Sequence, residues 1–223
     1  MDIKKYKEAI KKITCWDSSG EVFGFIDIGD FKTNYIYEFY CSMFILNDLF
    51  NRHELEVIPN SKEEIKFPKS PAKKEGYSYF KVIISRYPLH FVEVWLGTKI
   101  RHSIYKKYSH APDISFQIMN SPAIPTENDA LMIIDAKFYL KGLDINTIDS
   151  FSSKVKRFGF PKSKNSFEEL KFSVFKFLSN PTLITNSDVH KKSEELCKSE
   201  NIIQIGHFDL DKTFIKIGAI NNE

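Results

Sequence analysis

Residues 2–13 set Ile3, Tyr6, Ile10 and Ile13 on one helical face and lysines on the others, the rhythm of an amphipathic helix. Solvent is the plain partner for that lysine face, and phosphate is the alternative. The glycines of GEVFGFIDIGDFKTN suggest turns and short strands. A strong helix follows in NYIYEFYCSMFILNDLF, where Ile36, Phe39, Tyr40, Met43, Phe44 and Phe50 keep the three–four spacing and Asn34 offers a cap. Apolar residues also fill much of its remaining circumference, so burial on most sides is expected. Residues 59–76, rich in proline and lysine, read as a loop or hairpin excursion.

From there the pattern turns to strands. YSYFKVIISRYPLHFVEVWLGTKIR reads as strand, turn at Tyr87–Pro88, strand. HAPDISFQI continues as a strand entered through Pro112, and ALMIIDAKFYL is another. Beyond Gly142 the spacing of Ile145, Ile148, Phe151 and Val155 is helical again. A break at 159–166 precedes a second amphipathic piece, FEELKFSVFKFLS. NPTLITN is a short strand, SDVHKKSEELCKSEN a helix with Ser187 as its cap, and IIQIG a last strand. Antiparallel-looking strands come first and β-α-β alternation comes last. The expected architecture is α/β, a mixed central β-sheet flanked by α-helices, in one domain over residues 1–223.

Strand side chains alternate, so one face of 131–140 is Met132, Ile134, Ala136, Phe138 and Leu140, all apolar. The other is Leu131, Ile133, Asp135, Lys137 and Tyr139. Two opposite charges therefore leave the same face of an otherwise greasy strand. A salt bridge near a sheet end is one explanation, although buried pairs contribute little net stability. The other is a ligand that needs both charges, such as a divalent metal beside a phosphodiester. A second carboxylate is available in Asp113, just after Pro112 on the preceding predicted strand.

Composition narrows the field. With 42% hydrophobic residues, including 20 Phe and 10 Tyr, a sizeable core is within reach. A formal charge of +3 is too mild for a histone-like binder, so nucleic-acid binding must rest on local patches. Cys15, Cys41 and Cys197 are far apart and lack CxxC spacing, which argues against a disulfide framework or a zinc site and suits a reducing cytosol. The lysine-rich N-terminus lacks the apolar core of a signal peptide, and no stretch approaches a membrane span. A soluble, cytoplasmic protein with no membrane partner is expected. P-loop, dinucleotide, nucleophile-elbow and HExxH motifs are missing.

The order Pro112-Asp113 then Asp135-Ala136-Lys137, following a helix that carries Glu38, resembles the signature of the PD-(D/E)XK nuclease superfamily. The tail PTLITNSDVHKKSEELCKSENIIQIGHFDL resembles the closing β-α-β of its Mrr-like members. The likeness spans about residues 35–210, leaving 1–34 as an N-terminal extension. It implies a restriction-endonuclease-like fold and a metal-dependent DNA endonuclease with a role in restriction or phage defence. Asp113, Asp135 and the Ala136 carbonyl would hold Mg²⁺, with Mn²⁺ able to substitute. Lys137 would position or help deprotonate the attacking water, and the products would carry 5′-phosphates. Glu38 would complete the site, although its place in the first turn of a helix also suits the helix dipole, and Glu93 on a neighbouring strand competes for the role. His110 is either a phosphate contact or a polar strand-edge residue. A catalytically inactive nuclease-like subunit, binding DNA or protein in a larger complex, is the alternative function. Double-strand cleavage would favour a homodimer.

Basic residues flank these positions. Lys99, Arg101, Lys106 and Lys107 precede Asp113, while Lys154, Lys156, Arg157, Lys162, Lys164, Lys171 and Lys176 follow Lys137. They are the candidate DNA contacts, each with a solvated surface as the plain alternative.

Overall fold

Helix α1 (Ile3–Thr14) buries Tyr6 and Ile10 against α2 (Thr33–Phe50), and Ile13 packs at the margin of the same cluster. The Tyr6 hydroxyl donates to Asp209 Oδ1 at 2.5 Å, which fastens this first helix to the C-terminal part of the chain. These relationships come from a computed structural model that describes residues 1–14, 33–141, 143–160, 165–211 and 213–218. Cys15 and most of the glycine-rich GEVFGFIDIGDFKTN stretch lie outside the described residues. Helix α2 is buried nearly all round, from Ile36 and Tyr37 to Leu46 and Leu49, as its apolar circumference demands. It begins at Thr33, so Asn34 stands inside the helix and does not precede it. Glu38 accordingly falls beyond the first turn, where the dipole has little hold on a carboxylate.

Among the described residues the sheet has eight strands, in the order β1-β2-β3-β6-β7-β8-β9-β10. Strands β1 (Glu54–Ile58), β2 (Tyr79–Arg86), β3 (Leu89–Leu96), β6 (Ile114–Gln117) and β7 (Ala130–Lys137) are successively antiparallel. Strands β7, β8 (Thr182–Thr185) and β9 (Ile203–Gly206) run parallel, and β10 (Ile215–Gly218) closes the edge antiparallel to β9. The molecule is therefore mixed α/β with a mixed sheet. Two very short strands, β4 (Ile100–Arg101) and β5 (Ser109–His110), pair apart from it. The run expected as one strand from His110 is thus broken at Ala111–Asp113, and its halves pair with different partners.

Strand β7 sits mid-sheet, buried from Ala130 to Ala136. Met132, Ile134 and Ala136 join the cluster that contains α2, whereas Ile133 joins Ile148, Phe151 and Val155 of α3 (Ile145–Arg157). Helices α2 and α3 therefore cover opposite faces of this strand. Asp144 caps α3, its carboxylate accepting from Asn146 N–H at 3.0 Å.

Two expectations fail in the second half. FEELKFSVFKFLS is not a helix: only α4 (Asn165–Glu168) forms, and the rest is irregular although Phe167, Leu170, Phe175, Phe177 and Leu178 are buried. The buried carboxylate of Asp48 on α2 supplies the reason. Its Oδ1 accepts from Ser173 and Val174 N–H at 3.0 and 2.8 Å, and its Oδ2 from Phe175 N–H at 2.9 Å. Those donors are satisfied from another helix and need no helical ladder of their own. Ser187 does not open a helix either. Its carbonyl accepts from His207 N–H at 2.7 Å, and α5 (Glu194–Ser199) begins only after a 3₁₀ turn at Lys191–Ser193. No helix among the described residues is long and apolar enough to cross a membrane.

Candidate active site

The antiparallel register of β6 and β7 pairs Ile114 with Ile134. Carried one residue outward, it sets Asp113 across from Asp135. Two carboxylates as cross-strand neighbours repel, so this placement costs stability unless something compensates. Several cations do. Lys137 Nζ lies 2.7 Å from Asp113 Oδ2, 3.6 Å from Glu38 Oε1 and 3.1 Å from the Ala136 carbonyl. Lys154 Nζ reaches Asp135 Oδ2 at 3.3 Å, and His110 Nε2 lies 3.4 Å from Asp135 Oδ1.

Topology explains the convergence. All these groups gather where β7 ends and β6 begins, at the rim where the two helical layers can meet. Helix α2 delivers Glu38 from one face of the sheet, and α3 delivers Lys154 from the other. The rim is fixed just beyond Lys137, where the Asn186 side chain accepts from Tyr139 N–H at 2.7 Å and donates to the Tyr139 carbonyl at 2.9 Å. The groups line a cleft of about 790 Å³, together with Lys99 and Ser109.

The two aspartates experience opposite environments. Burial pushes Asp113 up, and Asp135 and Glu38 add to this against Lys137, so its carboxyl titrates at about 7. Burial also pushes Asp135 upward, but His110, Lys137 and Lys154 together hold it below the ordinary carboxylate range. Burial raises Glu38 too, with Lys137 opposing. Burial would lower Lys137, but Asp113, Asp135 and Glu38 outweigh it and keep the ammonium charged. Paired carboxylates with separated titrations are a mark of acid–base sites.

The signs are testable. The folded chain keeps a proton on Asp113 well above the pH at which the unfolded chain loses it. This group's contribution to stability therefore falls as pH rises, and its full cost is present above about pH 7. Asp135 acts in the opposite sense, stabilising above the ordinary carboxylate range and losing that contribution as pH falls through its depressed value. Asp113→Asn, which retains an acceptor for Ala136 N–H, should thus be more stable than wild type by about 1–3 kcal/mol at about pH 8. The gap should close only below the ordinary aspartate value, toward about pH 3, where wild-type Asp113 is mostly protonated in both states. Denaturant melts at the two pH values check this, and a gap independent of pH would contradict it.

Whether these residues suit a hard divalent cation turns on which oxygens are spare. Asp135 Oδ1 is buried without a hydrogen-bond partner. Both hydrogen bonds of Asp113, from Ala136 N–H at 2.6 Å and from Lys137, arrive at Oδ2. Each aspartate thus keeps an oxygen available, with the Ala136 carbonyl beside them. Among the described residues no trio of His, Cys, Asp or Glu forms a cage alone. Mg²⁺ needs none, since it retains several waters beside one or two carboxylates. The donor set fits.

Among the other candidates, Glu93 is buried elsewhere, held by Lys74 at 3.2 Å and by Trp95 Nε1–H and the Ser121 hydroxyl, each at 2.7 Å. It pairs with Gln117, at the far end of β6 from Asp113, so Glu38 is the acid that reaches Lys137. Lys99 lines the cleft, Arg101 stands on β4, and Lys106 and Lys107 are exposed in the β4–β5 loop. Lys156 pairs with Glu200 at 2.6 Å and Arg157 lies over the Tyr108 ring at 4.3 Å, so both are engaged within the chain. Lys162 and Lys164 lie outside the described residues. Lys171 and Lys176 belong to the segment fastened to Asp48, about 15 Å along α2 from Glu38. The inward role of Lys154 is the addition, while His110, read as a phosphate contact or a strand-edge residue, stands beside Asp135. Lys154 follows buried Phe151 by three positions on α3, which sets it at the flank of the buried stripe and is the sequence signal for it.

No protein-family model matches this chain, and no curated protein or solved structure matches it.

Proposed function

We propose that this cleft hydrolyses DNA phosphodiesters, making the protein a metal-dependent endonuclease of restriction-endonuclease-like fold. One observation carries the reading: Asp113, Asp135, Lys137 and Glu38 converge on one open rim, with the two aspartates in contrasting ionisation environments. The order of a buried helix, antiparallel strands bearing the acids and a parallel β7–β8–β9 closure supports the fold. A role in restriction or phage defence rests on the sequence resemblance.

Asp113, Asp135 and the Ala136 carbonyl would hold Mg²⁺ or Mn²⁺, which when bound supplies Lewis-acid stabilisation of charge on the phosphoryl oxygens. The chain's own groups have separate tasks. Lys137, kept cationic by its three carboxylates, places positive charge where the attacked phosphate gains negative charge. Glu38 holds the Lys137 ammonium toward the cleft from the α2 side. Asp113 can carry a proton near neutrality only while it holds no cation, and Oδ1 is then its seat because Oδ2 already accepts two hydrogen bonds. Lys154 and His110 hold Asp135 from the opposite side.

Supercoiled plasmid incubated with the chain should be nicked or linearised in Mg²⁺ or Mn²⁺ and left intact in chelator. Intact plasmid at every metal concentration, with duplex binding retained, would replace this reading with a DNA-binding subunit that lacks catalysis.

A further inference from the structure

The loop between β4 and β5, residues 102–108, exposes two apolar side chains at its tip. Ile104 is 75% and Tyr105 66% exposed, and Lys106 and Lys107 follow them, also exposed. A floppy loop with these residues would mean little, but this one is built from beneath. His102 Nδ1 accepts from both Ile104 and Tyr105 N–H at 3.1 and 3.2 Å. Ser103 N–H donates to Glu127 Oε2 at 2.7 Å, and Tyr108 N–H closes the turn on the Tyr105 carbonyl at 2.7 Å. Tyr108 packs on Phe158 of the α3 end at 5.4 Å between centroids, and Arg157 lies over the Tyr108 ring at 4.3 Å. The tip is thus held out on a fixed base, and β5, which follows immediately, carries His110 into the cleft.

We propose that this loop is a wedge that enters a duplex DNA groove beside the cleft, Ile104 and Tyr105 pressing between base steps while Lys106 and Lys107 hold the flanking phosphates. The inference rests on the nuclease reading of the neighbouring cleft. Charge selects the partner: Lys99, Arg101, Lys106 and Lys107 stand in a stretch with no acidic residue between Lys99 and Asp113. Neither Lys106 nor Lys107 makes an ion pair with a described residue. A second exposed apolar tip, Tyr87 and Leu89 on the β2–β3 hairpin, differs in this respect, because its Arg86 is neutralised by Glu54 and Glu56. The tip's chemistry selects a duplex over a single strand. Single-strand platforms stack bases on aromatic faces, whereas Ile104 has none and aliphatic wedges act by parting stacked steps. A preformed loop also loses little conformational entropy on binding.

The test uses the full chain and a short duplex carrying a dye at each end, in chelator and again with Ca²⁺. Binding by wild type should draw the ends together, since wedge insertion bends DNA by roughly 20–90°. Ile104→Ala/Tyr105→Ala should bind at least about 10-fold more weakly through lost apolar burial, lose the end-to-end shortening and keep the salt dependence, with an unchanged melting temperature. Lys106→Ala/Lys107→Ala should lower the slope of log K against log salt by about 1.8. Wild-type affinity and bending in the Ile104/Tyr105 variant would overturn the wedge while plasmid cleavage leaves the nuclease reading standing. No duplex binding by wild type in either buffer would overturn both.

Discussion

Lys137→Ala should cut plasmid about 10²–10³-fold more slowly than wild type at saturating Mg²⁺, the range for losing one preorganised electrostatic group. It should still gain melting temperature when Mg²⁺ is added. The reasoning separates two roles that meet on one strand. Lys137 contributes a charge that the reacting phosphate requires, whereas Asp113, Asp135 and the Ala136 carbonyl supply the oxygens for the cation. Removing the ammonium leaves those oxygens in place and frees Asp113 Oδ2 from its 2.7 Å contact. It also deprives Asp113 and Glu38 of the opposing positive charge, so burial raises both further. Mg²⁺ must then displace protons, and its half-saturation should move to higher pH in the variant. Lys137→Arg should rescue little, because a planar guanidinium cannot reproduce a point charge among three acids. Wild-type cleavage by Lys137→Ala would remove Lys137 from the reaction and with it the main support for this mechanism.

How much of this was legible in the chain depends on the distance over which each feature is determined. The period-two alternation through Met132, Ile134 and Ala136 was local, and these three residues do join the cluster that contains α2. Helix α2 was equally legible from its apolar circumference. The edge strands β1 and β10 were not anticipated, because the alternation in ELEVI and IKIG runs over only five and four residues, none of them fully buried. The irregular path around Ser173–Phe175 could not be read locally at all. Its donors go to Asp48, 125 residues or more away, and a helical apolar spacing there serves a coil packed on Phe44 and Phe208. The site divides in the same way. Asp113, Asp135 and Lys137 followed from strand order, but the choice of Glu38 over Glu93 required the register, which sends Glu93 to Lys74 and Trp95. Lys154 was read as an outward DNA contact, and only the packing of α3 on β7 turns it onto Asp135.

Asp135→Asn should abolish both cleavage and the Mg²⁺-dependent rise in melting temperature, and so differ from Lys137→Ala in the second measurement. Asp135 is nearly inaccessible, its side chain 3% exposed, and Oδ1 is the buried oxygen without a hydrogen-bond partner. An amide of the same shape preserves packing but removes the charge that a hard cation needs. Stability should drop by only about 1–3 kcal/mol, because Lys154 is partly exposed and can turn to solvent. That deficit should be constant above the ordinary carboxylate range and shrink as pH falls, since wild-type Asp135 loses its contribution only as it is protonated. Duplex binding in chelator should be as tight as wild type or tighter. The reason is that an acid facing a phosphate repels it, and neutralising that acid frees Lys154, which lines the cleft with Lys99 and Lys137. Weaker duplex binding by Asp135→Asn would mean that phosphate does not approach this rim. The cleft would then belong to some other ligand, whatever cations its carboxylates can hold.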